Sequence, residues 1–375
     1  MFRDALTFDD ISLVPRKSTL ADRDAAVIDT DIGIPLRIPI VSSPMDTVTW
    51  IDMAEFMASK GGVGILHRYC SIESQVEAAK MVSSGPVGAA VGINGDAHER
   101  VTALVESGVK IICIDVAHGH NVAALAFAEE VKNRYGDDVV LISGNICTGE
   151  AARDYESVGV DCYRVGIGSG SACTTRVVAG VGVPQVTAII DVREAVEHIP
   201  IIADGGIRSS GDIVKALAVG ADAVMLGGML APYLVSAAPS VIVEEPGSPG
   251  ISSIVRSWVE ERGAEAEQVF ANGLPEADIG NFKRKKLFRG MASRSALSPR
   301  KPDGDFLVEG EEFLIDIDFD FEKSFDDLVN GIKAGLAYLG AHTIYDARKA
   351  EIVTVTGNGY LEGTPHMLRR GGQYV

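Results

Sequence analysis

The sequence predicts an α/β fold, a closed (β/α)8 TIM barrel, on three observations. Eight short apolar runs end in glycine or a small polar residue, with successive starts roughly 23 to 37 residues apart. The runs are apolar on both faces, which is typical of buried parallel strands. Helical patterns separate several of them. An open doubly wound sheet is the alternative, but the count of eight and the lack of an early GxGxxG motif weigh against it.

The elements follow one another in a regular order. The predicted strands are IPIVSS (38–43), GVGILH (62–67), VGAAVG (87–92), IICIDVA (111–117), VVLISGN (139–145), CYRVGIG (162–168), IPIIADGG (199–206) and DAVMLGG (222–228). The clearest helical patterns are SIESQVEAAKMV, HNVAALAFAEEVKNRY, TGEAARDYESVG and SGDIVKALAVG. Ser71 and Ser210 are candidate N-caps, and Gly220 is a candidate stop for the last of these helices.

Three stretches fall outside the eight units. Residues 1–37 form an N-terminal arm, and residues 232–287 form an acidic insertion after the eighth strand, with a helical pattern near ISSIVRSWVEERGAEAEQVF. The third stretch is the tail from residue 288 onward, which contains the flap region (292–322) and the helical pattern DDLVNGIKAGLAYLG. We expect one catalytic domain over 1–375. The insertion is expected to be a lid or a subunit contact, or alternatively a solvated surface excursion.

Composition excludes several classes of protein. The chain is 46% hydrophobic and 23% charged, which indicates a globular protein with an ample core rather than a disordered or fibrous one. No apolar stretch approaches the roughly 18 to 20 residues needed to span a bilayer, and the N-terminus lacks a secretory pattern, so a cytoplasmic location is expected. A net charge of −18 argues against nucleic acid or membrane partners. Five scattered cysteines indicate reduced thiols.

Three glycine-rich loops predict a phosphate site. GIGSGS (166–171), ADGG (203–206) and LGG (226–228) end the sixth, seventh and eighth predicted strands. In barrels of this type the loops after the last strands often bind phosphate through backbone N–H groups. Ser171 adds a hydroxyl donor, whereas Asp204 is expected to accept hydrogen bonds from ribose hydroxyls. The alternative is that these glycines serve only tight turns.

Cys173, in GSGSACTTR, is a candidate nucleophile. It follows the first glycine-rich loop, where backbone amides and the nearby Arg176 would favour a thiolate. The alternative is an inert core cysteine, which is how we interpret Cys70, Cys113, Cys147 and Cys162. The histidines, including HGH (118–120), show no convincing zinc-ligand spacing.

Long motifs carry a family resemblance. They are SSPMDTVT (42–49), GGVGILHR (61–68), GIGSGSACTTRVVAGVGVPQ (166–185), IADGGIRSSGDIVKAL (202–217), MLGGMLA (225–231) and FRGM (288–291). Together they resemble the IMP dehydrogenase/GMP reductase family from LTFDDISLVP (6–15) to the C-terminal helix, with the main interruption at 232–287. Members often carry a pair of CBS modules after the second strand, and here SIESQVEAAKMV runs directly into VGAAVG, so no CBS domains are expected.

The resemblance implies a role for each matching residue. Cys173 would attack C2 of a purine nucleoside monophosphate, and Thr175 would assist a proton or leaving-group step. Substrate-binding positions would be Ser43, Met45, Ser171, Asp204, Gly205, Gly206, Gly227, Gly228, Phe288, Arg289, Gly290, Met291, Ala292 and Glu309. Positions facing the nicotinamide coenzyme, NADPH or NAD, would be Asp115, Val116, Ala117, Asn145, Gly166, Ile167 and Gly168.

The resemblance also implies a monovalent-cation site, for which potassium is the candidate. Carbonyl groups of Gly168, Gly170 and Cys173 would form one half of it. Glu362, Gly363 and Thr364 of a neighbouring subunit would form the other half, so a homotetramer is implied.

The sequence of the flap indicates the direction of the reaction. Family dehydrogenases activate water with a flap Arg-Tyr pair, but SPRKPDGDFLVEG holds Arg300 without a following tyrosine, and Phe306 is no acid or base. NADPH-dependent reductive deamination of GMP, or of a related guanine nucleotide, is therefore expected. However, the reductases usually place a glutamate where this chain has Arg294. Without that glutamate, Thr175 lacks its expected partner in proton transfer, unless Glu309 or another acid substitutes. The alternatives are an IMP dehydrogenase, favoured by VGVPQ, ADGGIR and LEGTPHML, and an inactive nucleotide-binding member.

Overall fold

A computed structural model describes residues 2–244, 282–298 and 307–363. Several sequence-based expectations lie outside these residues. They are the helical pattern near ISSIVRSWVEERGAEAEQVF within the insertion, the middle of the flap with Arg300 and Phe306, and Thr364.

The N-terminal arm packs against the barrel. It contains the 3-10 turns Phe8–Asp10 and Arg23–Ala25 and the strands β1 (Ile11–Leu13), β2 (Thr30–Asp31) and β3 (Pro35–Leu36). Strands β2 and β3 form an antiparallel hairpin. The hydroxyl of Thr30 donates a 2.8 Å hydrogen bond to the carbonyl of Asp222, so the arm is tied to the start of the last barrel strand.

The predicted (β/α)8 barrel is confirmed. Eight strands close in the order β10, β11, β4, β5, β6, β7, β8, β9, and every adjacent pair is parallel. Their bounds are Ile40–Ser42 (β4), Val63–Leu66 (β5), Val87–Val91 (β6), Ile111–Asp115 (β7), Val140–Ile146 (β8), Cys162–Val165 (β9), Ile201–Asp204 (β10) and Ala223–Leu226 (β11). Each of the eight apolar runs supplies one strand, because a strand buried between barrel interior and outer helices needs apolar residues on both faces.

Helices cover the outside of the barrel. Their bounds are Ile51–Lys60 (α1), Ile72–Met81 (α2), Ala97–Glu106 (α3), Val122–Tyr135 (α4), Gly149–Val158 (α5), Thr175–Val178 (α6), Gln185–Ala195 (α7) and Ser210–Ala218 (α8), with a 3-10 turn at Gly136–Asp138. The predicted Ser71 cap is confirmed, since its side chain accepts a hydrogen bond from the Ser74 amide. The Ser210 cap is wrong by one residue: Ser209 caps α8 by accepting from Asp212. This helix ends at Ala218, two residues before Gly220.

A small antiparallel sheet and the C-terminal elements lie beside the barrel. Strand β13 (Phe282–Arg289) pairs with β12 (Ser240–Glu244) and with β14 (Glu312–Asp316). The remaining elements are α9 (Arg294–Leu297), α10 (Phe321–Leu339), the 3-10 turn Asp346–Lys349, β15 (Ile352–Thr354) and α11 (Gly357–Glu362). The predicted C-terminal helix is thus present as α10, and β15 pairs with β1 of the arm.

Two apolar layers surround the strands. Val41, Ile65, Ile142 and Ile202 are fully buried inside the barrel, while residues such as Phe325 and Leu336 of α10 pack in the outer layer. At the amino ends of the strands Asp222 accepts hydrogen bonds from Arg193 (2.5 Å) and Arg348 (2.7 Å). The interior is thus a packed core, and the active sites of such barrels lie at the opposite end, where the strands finish. Within the described residues no helix is long and apolar enough to cross a membrane.

Candidate active site

A cavity of about 540 Å³ opens at the carboxyl ends of the barrel strands, a size typical of small-ligand sites. All but one of the predicted catalytic, nucleotide and coenzyme positions line it. They are Ser43, Met45, Asp115, Val116, Ala117, Asn145, Gly166, Ile167, Gly168, Ser171, Cys173, Thr175, Asp204, Gly205, Gly206, Gly227, Gly228, Phe288, Gly290, Met291, Ala292 and Glu309. The exception is Arg289, which instead bonds Asp46 at 2.8 Å and Ser295 at 2.9 Å.

Three side chains form a continuous hydrogen-bonded chain inside the cavity. The Sγ atom of Cys173 lies 3.3 Å from the Thr175 hydroxyl, and that hydroxyl donates a 3.0 Å hydrogen bond to Oε2 of Glu309. A nucleophile, a hydroxyl and a carboxylate in this order can pass a proton between the reacting centre and an acid–base group.

Backbone pairing brings Glu309 to the cysteine loop. Cys173 and Gly310 form an antiparallel bridge, the Thr174 amide donates to the Glu309 carbonyl at 3.0 Å, and the Glu309 amide donates to Ala292 at 3.1 Å. The carboxylate next to Thr175 therefore comes from the flap. Arg294, where a glutamate was expected for that role, is exposed and lies outside the cavity lining.

The glycine-rich loops pack closely around Ser171. A Cβ atom added to Gly228 would lie only 2.7 Å from the Ser171 hydroxyl oxygen, so no side chain fits there without moving the serine. The neighbouring Ser169 donates a 3.1 Å hydrogen bond to the Asp204 carbonyl, which joins the loops after β9 and β10. These loops bring backbone N–H groups and the Ser171 hydroxyl to one end of the cavity, the arrangement that binds phosphate in barrels.

The floor of the cavity is an ionic chain. Arg164 donates to Asp115 at 2.6 Å through Nη1 and to Asp204 at 2.8 Å through Nε. Burial favours the neutral acid at Asp115, but the charges and hydrogen bonds of Arg164 and Arg68 outweigh it and hold the pKa of Asp115 below its ordinary value. Asn145 donates to Asp204 at 2.8 Å and to the Gly166 carbonyl at 2.7 Å.

Sequence reasoning missed three polar residues of this floor. Arg164 is 7% exposed and was hidden in the apolar run CYRVGIG, although a charge inside a buried strand is itself a signal of a partnered site. Arg68 and Tyr69 follow β5, line the cavity, and approach Oδ2 of Asp115 at 3.2 Å and 3.4 Å. Their position just after a predicted strand could have marked them.

The other cysteines differ from Cys173 in their surroundings. All five are free, and only Cys173 among them lines the cavity in the described part of the chain. Burial raises the pKa of the Cys113 thiol to about 12 and raises that of Cys162 well above its ordinary value. Burial also raises the pKa of Cys70 and Cys147. These four thiols are therefore poor nucleophiles near neutral pH.

The residues expected to hold a monovalent cation lie in two separate segments of the chain. Gly168, Gly170 and Cys173 lie in one turn, where the Gly170 carbonyl accepts from the Cys173 amide at 3.1 Å. Glu362 and Gly363 lie at the end of α11 and are not among the residues that line the cavity, and Thr364 lies outside the described residues. No group of three or more His, Cys, Asp or Glu side chains is placed to hold a metal in the ranges that the structure describes.

Gly166 lies in the part of the cavity that the sequence predicts to face the coenzyme. Gly166, at φ +147°, exposes bare backbone there, and a Cβ atom on it would lie 2.0 Å from the Asp204 carbonyl oxygen. Only glycine is accommodated at this conformation and distance.

Comparison with known proteins gives a family. Residues 5–248 match the IMP dehydrogenase / GMP reductase domain. The chain is 35% identical to an inosine-5'-monophosphate dehydrogenase of Borreliella burgdorferi over 97% of each protein, and 34% identical to that of Cryptosporidium parvum over 96% of this chain and 94% of the relative. It is 28% identical to a GMP reductase of Leishmania major over 98% of each. This chain, with Cys173 in a nucleotide-sized cavity at the mouth of its barrel, therefore belongs to the IMP dehydrogenase/GMP reductase family.

Proposed function

We propose that this protein acts at C2 of a purine nucleoside monophosphate through a covalent bond to Cys173. The observation that carries the proposal is the hydrogen-bonded chain from Cys173 through Thr175 to Glu309, set inside a cavity that glycine-rich loops line. Addition of the sulfur to C2 converts a planar aromatic carbon into a tetrahedral centre, from which a hydride or an amine can leave.

The nucleotide is held by the loops after β9, β10 and β11. Backbone amides near Gly205, Gly206 and Gly228, with the Ser171 hydroxyl, bind the phosphate, and Asp204 accepts hydrogen bonds from the ribose. Ser43 and Met45 lie against the base, and its other side is closed by Phe288, Gly290, Met291 and Ala292. This placement brings C2 to the sulfur of Cys173.

The second half of the cavity holds the nicotinamide coenzyme, with Asp115, Asn145 and Gly166 around it. A nicotinamide coenzyme, when bound, supplies or accepts the hydride at C2. The residues of this chain orient the two rings against each other and hold Asp115 ionised so that it can accept hydrogen bonds.

We propose that the reaction is the NADPH-dependent reductive deamination of GMP or a related guanine nucleotide. The Cys173–C2 bond forms as the exocyclic C2–N bond breaks, and the amine leaves as ammonia after it takes a proton delivered from Glu309 through Thr175. Hydride then adds to C2, and the C2–sulfur bond breaks to return the Cys173 thiolate and release IMP. The flap sequence supports this direction, because SPRKPDGDFLVEG contains no tyrosine to activate water.

Oxidation of IMP with NAD is the second candidate. It is supported by the names of two relatives that match nearly the whole chain. The proteins of Borreliella burgdorferi and Cryptosporidium parvum are each named inosine-5'-monophosphate dehydrogenase. In that direction Cys173 would expel hydride from C2, and Thr175 with Glu309 would have to take a proton from the hydrolytic water.

Absorbance near 340 nm separates the candidates. Purified protein is mixed with GMP plus NADPH, and separately with IMP plus NAD, each with and without potassium. Loss of absorbance with released ammonia supports reduction, whereas a gain in absorbance with XMP formed would establish the dehydrogenase instead. If neither pair reacts although nucleotide binds, the protein is a nucleotide-binding member without this activity.

A further inference from the structure

One guanidinium group holds two carboxylates of the active site. Arg164, on β9, reaches Asp115 at the end of β7 and Asp204 at the end of β10. Its side chain is 8% exposed, and both carboxylates line the cavity. Burial disfavours the charge, but Asp204 and Asp115 outweigh it and raise the pKa of the Arg164 guanidinium above its ordinary value. Arg164 is therefore a buried cation that is shared by two anions.

The two carboxylates face different ligands. Asp204 uses Oδ2 for both Arg164 and Asn145, so within the described part of the chain its Oδ1 accepts no protein hydrogen bond and is left for the nucleotide. Asp115 presents Oδ1 to Arg164 and Oδ2 to Arg68, at the end of the cavity assigned to the coenzyme. The only side chain that bonds both acids among the described residues is Arg164.

The backbone at Arg164 has little room to move, whereas the position of the guanidinium depends on its two carboxylate partners. A Cβ atom on Gly144 would lie 2.7 Å from the Cβ of Arg164 and 2.4 Å from its carbonyl oxygen, so β8 packs directly against this part of β9. Its planar guanidinium donates in fixed directions. When a ligand orders one carboxylate, the guanidinium is ordered with it, and the other carboxylate is then already in place.

We infer that Arg164 is a positioning residue that couples the two ligand sites, so that a nucleotide on Asp204 tightens binding of the coenzyme at Asp115, and the reverse. The inference rests on the proposed function, because it takes the two ligands from it. Such coupling is reciprocal by thermodynamic necessity and commonly amounts to about 5- to 150-fold in affinity. It arises because the second ligand no longer has to order the shared arginine.

Binding without turnover tests the inference. IMP and NADPH are used together because IMP already carries hydrogen at C2, so no hydride can pass between them. Calorimetry gives the dissociation constant of IMP with and without saturating NADPH, and that of NADPH with and without IMP. In the native protein we expect each ligand to tighten the other at least fivefold, and by the same factor.

Arg164→Lys is the test variant, because an ammonium keeps the charge but cannot donate in two fixed directions to both acids. We expect the coupling factor to fall below twofold. Asp115→Asn, which removes one end of the bridge while preserving shape, should lower it in the same way. Arg193→Lys is the matched control, since Arg193 pairs with Asp222 at the far end of the barrel, and the native factor should persist.

The outcomes separate the two proposals. The coupling inference is overturned if Arg164→Lys and Asp115→Asn both keep the native coupling factor. It is also overturned if the native protein binds both ligands but neither changes the dissociation constant of the other. Either result leaves the proposed function standing. Failure of the native protein to bind IMP overturns the proposed function and this inference with it.

Discussion

The hydroxyl of Thr175 donates a 3.0 Å hydrogen bond to Glu309, a residue 134 positions later in the chain. The contact joins a short helix at the barrel mouth to the flap that follows β13, and it exists because the Cys173 and Gly310 backbones pair. The proposed acid–base group of the site, Glu309, is thus carried by a segment outside the eight barrel units.

Cys173→Ala should abolish turnover in either direction, because no other group can form the bond to C2. Nucleotide binding should persist, since the phosphate and ribose contacts come from other residues. Steady-state rates and IMP affinity measure the two effects. Cys147→Ala, at a half-buried cysteine outside the cavity lining, is the control and should keep the native rate. Turnover by the Cys173→Ala protein would rule out the covalent mechanism.

Glu309→Gln should lower kcat by about 10²- to 10⁴-fold, the usual contribution of a general acid or base. The amide keeps the shape of the side chain but cannot supply or take the proton through Thr175. The nucleotide dissociation constant should change much less than kcat. The exposed Glu311 provides the control, and Glu311→Gln should behave as the native protein. Equal losses in both variants would remove Glu309 from the proton path.

Gly228→Ala should weaken nucleotide binding, because the added Cβ atom would lie 2.7 Å from the Ser171 hydroxyl oxygen and displace this donor. Overpacking of this kind costs roughly 1–3 kcal/mol, so KM for the nucleotide should rise about tenfold or more. Gly357→Ala tests the substitution where a Cβ meets nothing within 4 Å, and should leave KM unchanged. Native KM in Gly228→Ala would show that Ser171 is not at the phosphate.

The buried Lys286 should make the free energy of unfolding depend on pH. Its buried ammonium donates to the carbonyls of Tyr233 (2.8 Å) and Leu234 (2.9 Å), yet burial, and then the charge of Arg284, lower its pKa from 10.5 to about 8. Between pH 8 and pH 10.5 the unfolded chain therefore binds more protons than the folded one, so this term makes the folded state more stable as pH rises.

Below pH 8 the cost of the buried charge is fully present, and it amounts to at most about 3 kcal/mol. Lys286→Met removes the titration. Denaturant unfolding from pH 7 to pH 10 should therefore show the native protein gaining stability relative to Lys286→Met as pH rises. A constant difference between the two proteins across that range would contradict the lowered pKa.

The sequence alone determined the barrel and its mouth. Eight doubly apolar runs specify buried parallel strands, and the parallel order places every strand end, with Asp115, Asn145 and Asp204, at one face. The glycine-rich loops and Cys173 were identified because local sequence determines tight turns and the position of a thiol beside them.

Only the tertiary structure decided which partners these residues have. Arg164 stands in an apolar run of the sequence, and its two hydrogen-bond partners are carboxylates from two other strands. The partner of Thr175 could not be chosen between the Arg294 position and Glu309, because the choice depends on how the flap backbone pairs with the cysteine loop. Contacts between distant segments depend on packing and strand pairing, which leave no periodic pattern in the chain, whereas strands and turns depend on neighbours along it.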